Sequence, residues 1–255
     1  MDKQIAKMRA NKTAVITGGG RGFGKAFGHA LAMDGAHAVL VDIDGGAAEA
    51  AAAEIRAAGG AATGLAGDVT NEARMGEIMA QAAAINGGID ILINNAGLHS
   101  DEYGQPIRKM GLAKVKRLFD VNVIGVVTCT LAAAPRMSGR AGACIVNISS
   151  SAAHMGGSAY GDSKLAVAGL TITFARELGA EGIRVNAISP GLMLTETIAA
   201  ELPPATKARV KAMQLLGDDG KEEHIVDALM FLTSPGAAFI TGEILRVTGG
   251  MAAGV

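Results

Sequence analysis

The sequence predicts an α/β protein: one doubly wound, mostly parallel sheet of seven strands with helices on both faces. Three observations carry that expectation. Short β-branched runs alternate with segments of helical period along the 255 residues. A glycine-rich turn from Gly18 to Gly24 joins the first run to the first helix, which is the order a dinucleotide fingerprint requires. No internal repeat, low-complexity linker or break in composition divides the chain, so residues 1–255 read as a single domain.

Thr13–Thr17 (TAVIT) ends in glycines and fits a buried strand, and residues 23–33 follow with helical period. In the turn between them Gly18 permits the tight reversal, while Gly22 and Gly24 let the backbone approach a pyrophosphate on the helix N-terminus. The spacing is G-x-x-x-G-x-G, not the commoner G-x-G-x-x-G. The next strand, residues 38–43, places Asp42 near its end, where an acid accepts the adenosine ribose hydroxyl. Such an acid favours NAD and repels the 2′-phosphate of NADP; Arg21 beside the same pocket acts in the opposite sense, so NADP stays open.

An Ala-rich helix over residues 46–58, a weak strand over 62–66 and a helix over 71–85 come next. Asp68, with Val69 and Thr70, sits at a strand end, placed either to bond an adenine amino group or to cap the following helix. Residues 89–93 (IDILI) read as a buried strand followed by Asn94, Asn95, Ala96 and Gly97, two amides that can tie backbone groups and a glycine that lets the chain pass near a ligand. After a polar loop, 98–110, a long helix is expected over 112–131. It contains Asn122, which must either satisfy backbone groups or hold a water. A strand over 143–148 delivers Ser149 and Ser150 at its carboxyl end, a helix covers 158–178, and a strand covers 183–188. Residues from Pro190 and Gly191 to Leu216 lack periodicity and mix apolar side chains with a Pro203-Pro204 break, the pattern of a substrate lid over about 190–216. A helix over 222–232 and a strand over 243–247 complete the pattern.

Composition narrows the function classes. The formal net charge is −1, from 23 basic and 24 acidic side chains, so nothing draws the chain to nucleic acid or an anionic membrane. The N-terminus is charged and has no apolar core of a secretory signal, and the most apolar stretch, 121–134, is shorter than a membrane span. Cys129 and Cys144 lie in apolar runs and read as free thiols of a cytoplasmic protein. The five histidines have no metal-ligand spacing, and no metal is expected.

The chemistry is expected in SSSAAHMGGSAYGDSK, Ser149 to Lys164. Tyr160 and Lys164 are four residues apart and share one helix face. At roughly 4 Å and an effective dielectric of about 20, a lysine attracts a phenolate by about 4 kcal/mol, or ~3 pKa units, which would bring the phenol towards neutrality. An isolated match of this kind is more often a Tyr packed on a Lys stem, so the surrounding motifs decide.

Together those motifs resemble the short-chain dehydrogenase/reductases over nearly the whole length. The resemblance rests on Thr17 to Gly24, Asp68-Val69, Asn94-Asn95-Ala96-Gly97, Asn122, Ser149-Ser150, Tyr160-x-x-x-Lys164, and Pro190-Gly191 with Thr195. It implies a Rossmann-type fold and a tetrad of Asn122, Ser150, Tyr160 and Lys164. It implies NAD(P) held by Gly18, Arg21, Gly22, Phe23, Gly24, Asp42, Asp68, Val69, Asn95, Ala96, Gly97, Tyr160, Lys164, Pro190, Gly191, Met193 and Thr195. It also implies homodimers or homotetramers joined through the two long helices. Two departures stand out. Only ten residues separate Ser150 from Tyr160, shortening the substrate-facing loop, and Thr248 stands where an Asp commonly precedes Gly249-Gly250.

The expected activity is hydride transfer between a secondary alcohol or ketone and NAD, on a small or medium apolar, often cyclic, substrate. A reductase of 3-oxoacyl thioesters using NADPH shares every motif. A nucleotide-binding protein without chemistry fits less well, because all four tetrad residues are present.

Overall fold

A computed structural model describes residues 7–99, 102–193, 208–209 and 211–251. Seven strands form one sheet in the order β3-β2-β1-β4-β5-β6-β7, with every neighbouring pair parallel. They are β1 (Thr13–Thr17), β2 (His37–Asp42), β3 (Ala61–Ala66), β4 (Ile91–Asn94), β5 (Cys144–Ile148), β6 (Arg184–Pro190) and β7 (Ile244–Val247). Helices among the described residues include α1 (Gly22–Met33), α2 (Gly45–Ala57), α3 (Glu72–Asn86), the short α4 (Ile107–Met110), α5 (Leu112–Phe119), α6 (Gly125–Met137), α7 (Ala159–Leu178) and α8 (Glu222–Leu232).

Strand alternation sorts the apolar side chains between two layers. Ala14, Ile16, Leu40, Ile93, Val146 and Ile188 face one core with Phe27 and Leu31 of α1, Ile55 of α2, and Ile225 and Leu229 of α8. Val15, Val39, Leu92, Ile145 and Val185 face the other with Met75 and Ile78 of α3, Cys129 and Ala133 of α6, and Phe174 of α7. Both faces of the sheet are therefore covered, which is why the central strands read as continuous apolar runs. Burial pushes the Cys129 thiol up to about 12 and the Cys144 thiol up to about 11. Both thiols stay protonated and unreactive in the folded chain.

Several element boundaries differ from the sequence reading for identifiable reasons. Asn71 and Ser158 are caps, not first helical residues: their side chains accept from the Arg74 and Gly161 amides. Asp68 is thus not the cap of α3. The expected helix over 112–131 runs on to Met137 and is interrupted by a π-helical turn, Asp120–Ile124. By length and composition the 26-residue segment Leu112–Met137 could cross a membrane, contrary to the shorter stretch expected. Half of its apolar window is buried in the protein, as in a core helix. β6 continues beyond 188 through Ser189 to Pro190, which pairs with Val247 of β7. The polar loop 98–110 contains α4. Of the lid segment, residues 194–207 and 210, including Thr195, lie outside the described residues.

Candidate functional site

The carboxyl ends of β1, β4, β5 and β6 face one rim, and the sequence motifs converge there. Lys164 is 5 % exposed, and its Nζ donates to the Ile148 carbonyl at 2.8 Å. Ser149 Oγ donates to the Lys164 carbonyl at 2.9 Å, so this serine is spent on holding α7. Ser150 is the serine whose hydroxyl acts on the Tyr160 phenol, drawing its pKa down, and its Oγ accepts from the Ala152 amide at 3.2 Å. Ser151 is buried in the 3₁₀ turn that follows.

The Lys164 ammonium lies 5.9 Å from the centre of the Tyr160 ring. In the cofactor-free chain burial raises the Tyr160 pKa above its ordinary value, with the Ser150 hydrogen bond acting weakly the other way. Burial also lowers Lys164 to about 8.

Asn122 sits in the π-helical turn, 1 % exposed. Its Oδ1 accepts from the Leu98 amide at 2.7 Å, and its Nδ2 donates to the Leu98 carbonyl and the Ser163 hydroxyl, each at 3.1 Å. Of the two roles open to it in the sequence, it satisfies backbone, and that backbone lies on another segment. A Cβ added at Gly97 would lie 3.3 Å from Asn122 Oδ1 and 3.4 Å from Lys164 Nζ, so Gly97 passes directly over both. Ser163, which escaped the sequence reading, links the two halves: it accepts from Asn122 and donates to the Tyr160 carbonyl at 2.7 Å. Its place three residues after Tyr160 on the same helix face was the available signal.

Beneath the rim a second buried chain of polar groups was also missed. Asn94 Nδ2 donates to Asn147 Oδ1 at 2.9 Å and Thr130 Oγ1 at 3.2 Å, and Asn147 Nδ2 donates to Thr171 Oγ1 at 2.9 Å. β4, β5, α6 and α7 are tied together just below the reactive groups.

The glycine turn fits a dinucleotide. Arg21 precedes α1 without capping it, and the first turn holds no acid, so the helix N-terminal amides have no side-chain acceptor. Gly22 has a φ of +50°, and a Cβ there would meet nothing within 4 Å. At Gly24 an added Cβ would lie 2.0 Å from the Gly18 carbonyl, so glycine there lets the turn close on the helix. Phe23 packs its ring on Phe27, which leaves its backbone for the turn. Arg21 is exposed and forms none of the ion pairs among the described residues. Asp42 accepts from the Gly20 and Asp44 amides at 3.0 and 3.1 Å, and its remaining lone pairs are free for a ribose hydroxyl.

Asn95 ties the turn to β4 by donating to the Thr17 and Gly18 carbonyls at 3.0 and 3.1 Å, while Thr17 Oγ1 accepts from the Asn95 and Ala96 amides. Burial pushes the Asp68 carboxyl up, but the Thr70 amide and hydroxyl and the Arg117 guanidinium outweigh it and hold it below its usual value. Val69 packs where a Gly125 Cβ would stand. Pro190 ends β6, the Gly191 amide donates to the Val247 carbonyl at 2.9 Å, and Met193 is buried in the core.

This geometry has many counterparts among known proteins. The family model described as enoyl-(acyl carrier protein) reductase matches residues 18–252. A cis-4-hydroxycyclohexanecarboxylate dehydrogenase of Sinomonas cyclohexanicum is 36 % identical over 96 % of this chain and 98 % of its own. The structure of a 7α-hydroxysteroid dehydrogenase complexed with NADH and 7-oxo glycochenodeoxycholic acid superposes with a TM-score of 0.89 at 32 % identity, covering 100 % of this chain and 99 % of the other. A short-chain type dehydrogenase/reductase of Mycobacterium ulcerans gives 0.89 at 32 % identity, over 95 % and 90 % of the two chains.

Proposed function

Because the chain belongs to the short-chain dehydrogenase/reductase family, we propose that it is an NAD-preferring dehydrogenase of secondary alcohols, with Tyr160 as its general acid/base. The observation that carries this reading is the gathering of Tyr160, buried Lys164 and buried Asn122 at the carboxyl rim of the sheet, with Lys164 one helical turn from Tyr160 and the Ser163 hydroxyl joining Asn122 to the Tyr160 backbone. The pyrophosphate of the dinucleotide is held by the α1 N-terminus and the Gly18–Gly24 turn, with Arg21 and Phe23 contributing backbone, and the adenosine ribose by Asp42. Asp68 and Val69 flank the adenine; Asn95, Ala96, Gly97, Pro190, Gly191, Met193 and Thr195 flank the nicotinamide half. When bound, the cofactor supplies the hydride acceptor or donor and, oxidised, a positive charge beside the phenol.

The residues of the chain handle the proton. Ser150 donates to the substrate oxygen, and Tyr160 Oη takes the alcohol proton during oxidation and returns it during reduction. Lys164 has two N–H groups beyond the one given to Ile148, which suit the nicotinamide ribose and bias Tyr160 towards phenolate. Asn122 fixes Gly97 and Leu98 through the Leu98 backbone and offers the second lone pair of Oδ1 to a proton-relaying water.

The substrate we favour is a cyclic secondary alcohol of small or medium size. The relatives named for a hydroxycyclohexanecarboxylate and a hydroxysteroid support it, as does the short loop between Ser150 and Tyr160. A second reading, an NADPH-dependent reductase of 3-oxoacyl thioesters, draws on the acyl-carrier-protein description of the family model. One assay separates them: a panel of cyclic alcohols and an acetoacetyl thioester with each cofactor, followed by absorbance of the reduced nicotinamide. The expected result is alcohol oxidation with kcat/KM at least about tenfold higher for NAD than NADP, a ratio that Asp42→Ala narrows. Thioester reduction with NADPH and no alcohol turnover would replace the first reading by the second.

Assembly belongs to the same proposal. Ile124 and Leu131 on the α5–α6 segment, and Leu165 and Ile172 on α7, are exposed, as expected where two long helices join subunits in a homodimer or homotetramer. Light scattering should give twice or four times the chain mass; a monomer at micromolar concentration would overturn this.

A further inference from the structure

At the opposite rim, where the strands begin, lies a cavity of about 490 Å³ lined by Arg9, Lys12, Asp90, Arg184, Pro235 and Ala238, among others. Its size is that of a small-molecule site. Its charge is uneven. Asp90 is 1 % exposed and fully occupied: Oδ1 accepts from Lys12 Nζ at 2.9 Å and Arg140 Nε at 3.1 Å, and Oδ2 from Arg140 Nη2 at 2.8 Å and the Thr13 amide at 2.9 Å. One carboxylate thus answers two cations. Arg9 pairs with Asp34 and donates to the Met230 carbonyl and Thr233 hydroxyl, yet its buried Nε has no acceptor.

Arg184 forms no ion pair among the described residues. Its guanidinium donates only to the Ile240 and Leu232 carbonyls, at 3.3 and 2.9 Å. Four cations therefore stand against two carboxylates, an excess of two positive charges, and Glu181, next to lining residue Gly182, is exposed and not among the lining residues. Lys12 keeps about a third of its side chain in solvent, where an entering ligand would meet it. Met8, Ile91, Pro235 and Ala238 supply apolar wall. None of these residues takes part in the catalytic rim, which lies at the other end of β1, β4, β5 and β6.

We propose that this cavity is a second ligand site, separate from the catalytic one, for a small organic anion: a carboxylate on a compact apolar body. The carboxylate would meet Lys12 and Arg184 while its body displaces water from the apolar wall. No residue placed in the catalytic rim lines this cavity, so altering it should leave turnover intact.

Benzoate tests the proposal by isothermal titration into the cofactor-free protein at low ionic strength, where attraction between charges is least screened. Lys12→Met removes a cation while leaving Asp90 its bonds to Arg140 and Thr13. Ala238→Leu fills the cavity from an exposed position, so it keeps the test decisive should loss of Lys12 disturb folding. Saturable one-to-one binding is expected, weakened by about tenfold or more in each variant that keeps the wild-type melting temperature and turnover. An absence of saturable binding, or wild-type affinity in either folded variant, would overturn the site and place the benzoate elsewhere.

Discussion

Replacing Tyr160 by Phe is expected to lower kcat for alcohol oxidation by about 10³-fold while leaving cofactor affinity within about threefold, because positioned proton transfer contributes 10²–10⁴. The substitution removes one oxygen and keeps the ring, so packing against Met110, Leu118 and Ala159 is preserved. Cofactor titration by fluorescence and single-turnover measurement of the hydride step separate binding from chemistry. Full activity in the variant would remove Tyr160 from the mechanism. Because burial raises the phenol pKa in the cofactor-free chain, the phenolate needed for oxidation is scarce at neutral pH, so kcat/KM for the alcohol should climb with pH. Ketone reduction, which needs the phenol, should not.

The second large effect concerns Lys164. Lys164→Met is expected to lower kcat by at least about 10²-fold and, in the cofactor-free protein, to raise stability by an amount that shrinks as pH rises. The folded ammonium has a pKa lowered to about 8 by burial, against an ordinary 10.5. Between those values the unfolded chain binds more protons than the folded one, so wild-type stability rises with pH across that window. Below pH 8 burial of the cation costs about 3 kcal/mol, of which the Ile148 hydrogen bond offsets a part. Methionine feels none of this. Denaturant unfolding should therefore show the variant as the more stable near pH 7, with the gap closing towards pH 10; a gap that does not change with pH would mean that Lys164 is not a buried cation.

The fold was legible because its signals are local and repeated. TAVIT and the later buried runs announce a covered parallel sheet, and the glycines at 18, 22 and 24 punctuate the first turn. What escaped was anything set by distance in space. Helix spacing placed Tyr160 and Lys164 on one face, but could not show that the ammonium donates to the Ile148 carbonyl. The partners of Asn122 lie on the Leu98 segment, and no periodicity reveals a bond across that interval. Nor does a glycine pattern show that Gly24 also clears the Gly18 carbonyl. Asn147 and Thr171 look like interruptions of apolar stretches and are partners of each other.

The strand order has a consequence for how the chain comes together. β1, β2 and β3 are laid outward on one side and β4 to β7 on the other, each strand beside its predecessor. Only the seam between β1 and β4, where Val15 meets Leu92, joins the halves. Each half can assemble by pairing near neighbours in sequence, and closing the seam requires the longest loop to be drawn in. The glycine turn stands on one lip of that seam and Asn95 on the other, stitched by the Asn95 bonds to Thr17 and Gly18. A dinucleotide bound across it would favour the closed sheet, so saturating cofactor should raise the melting temperature.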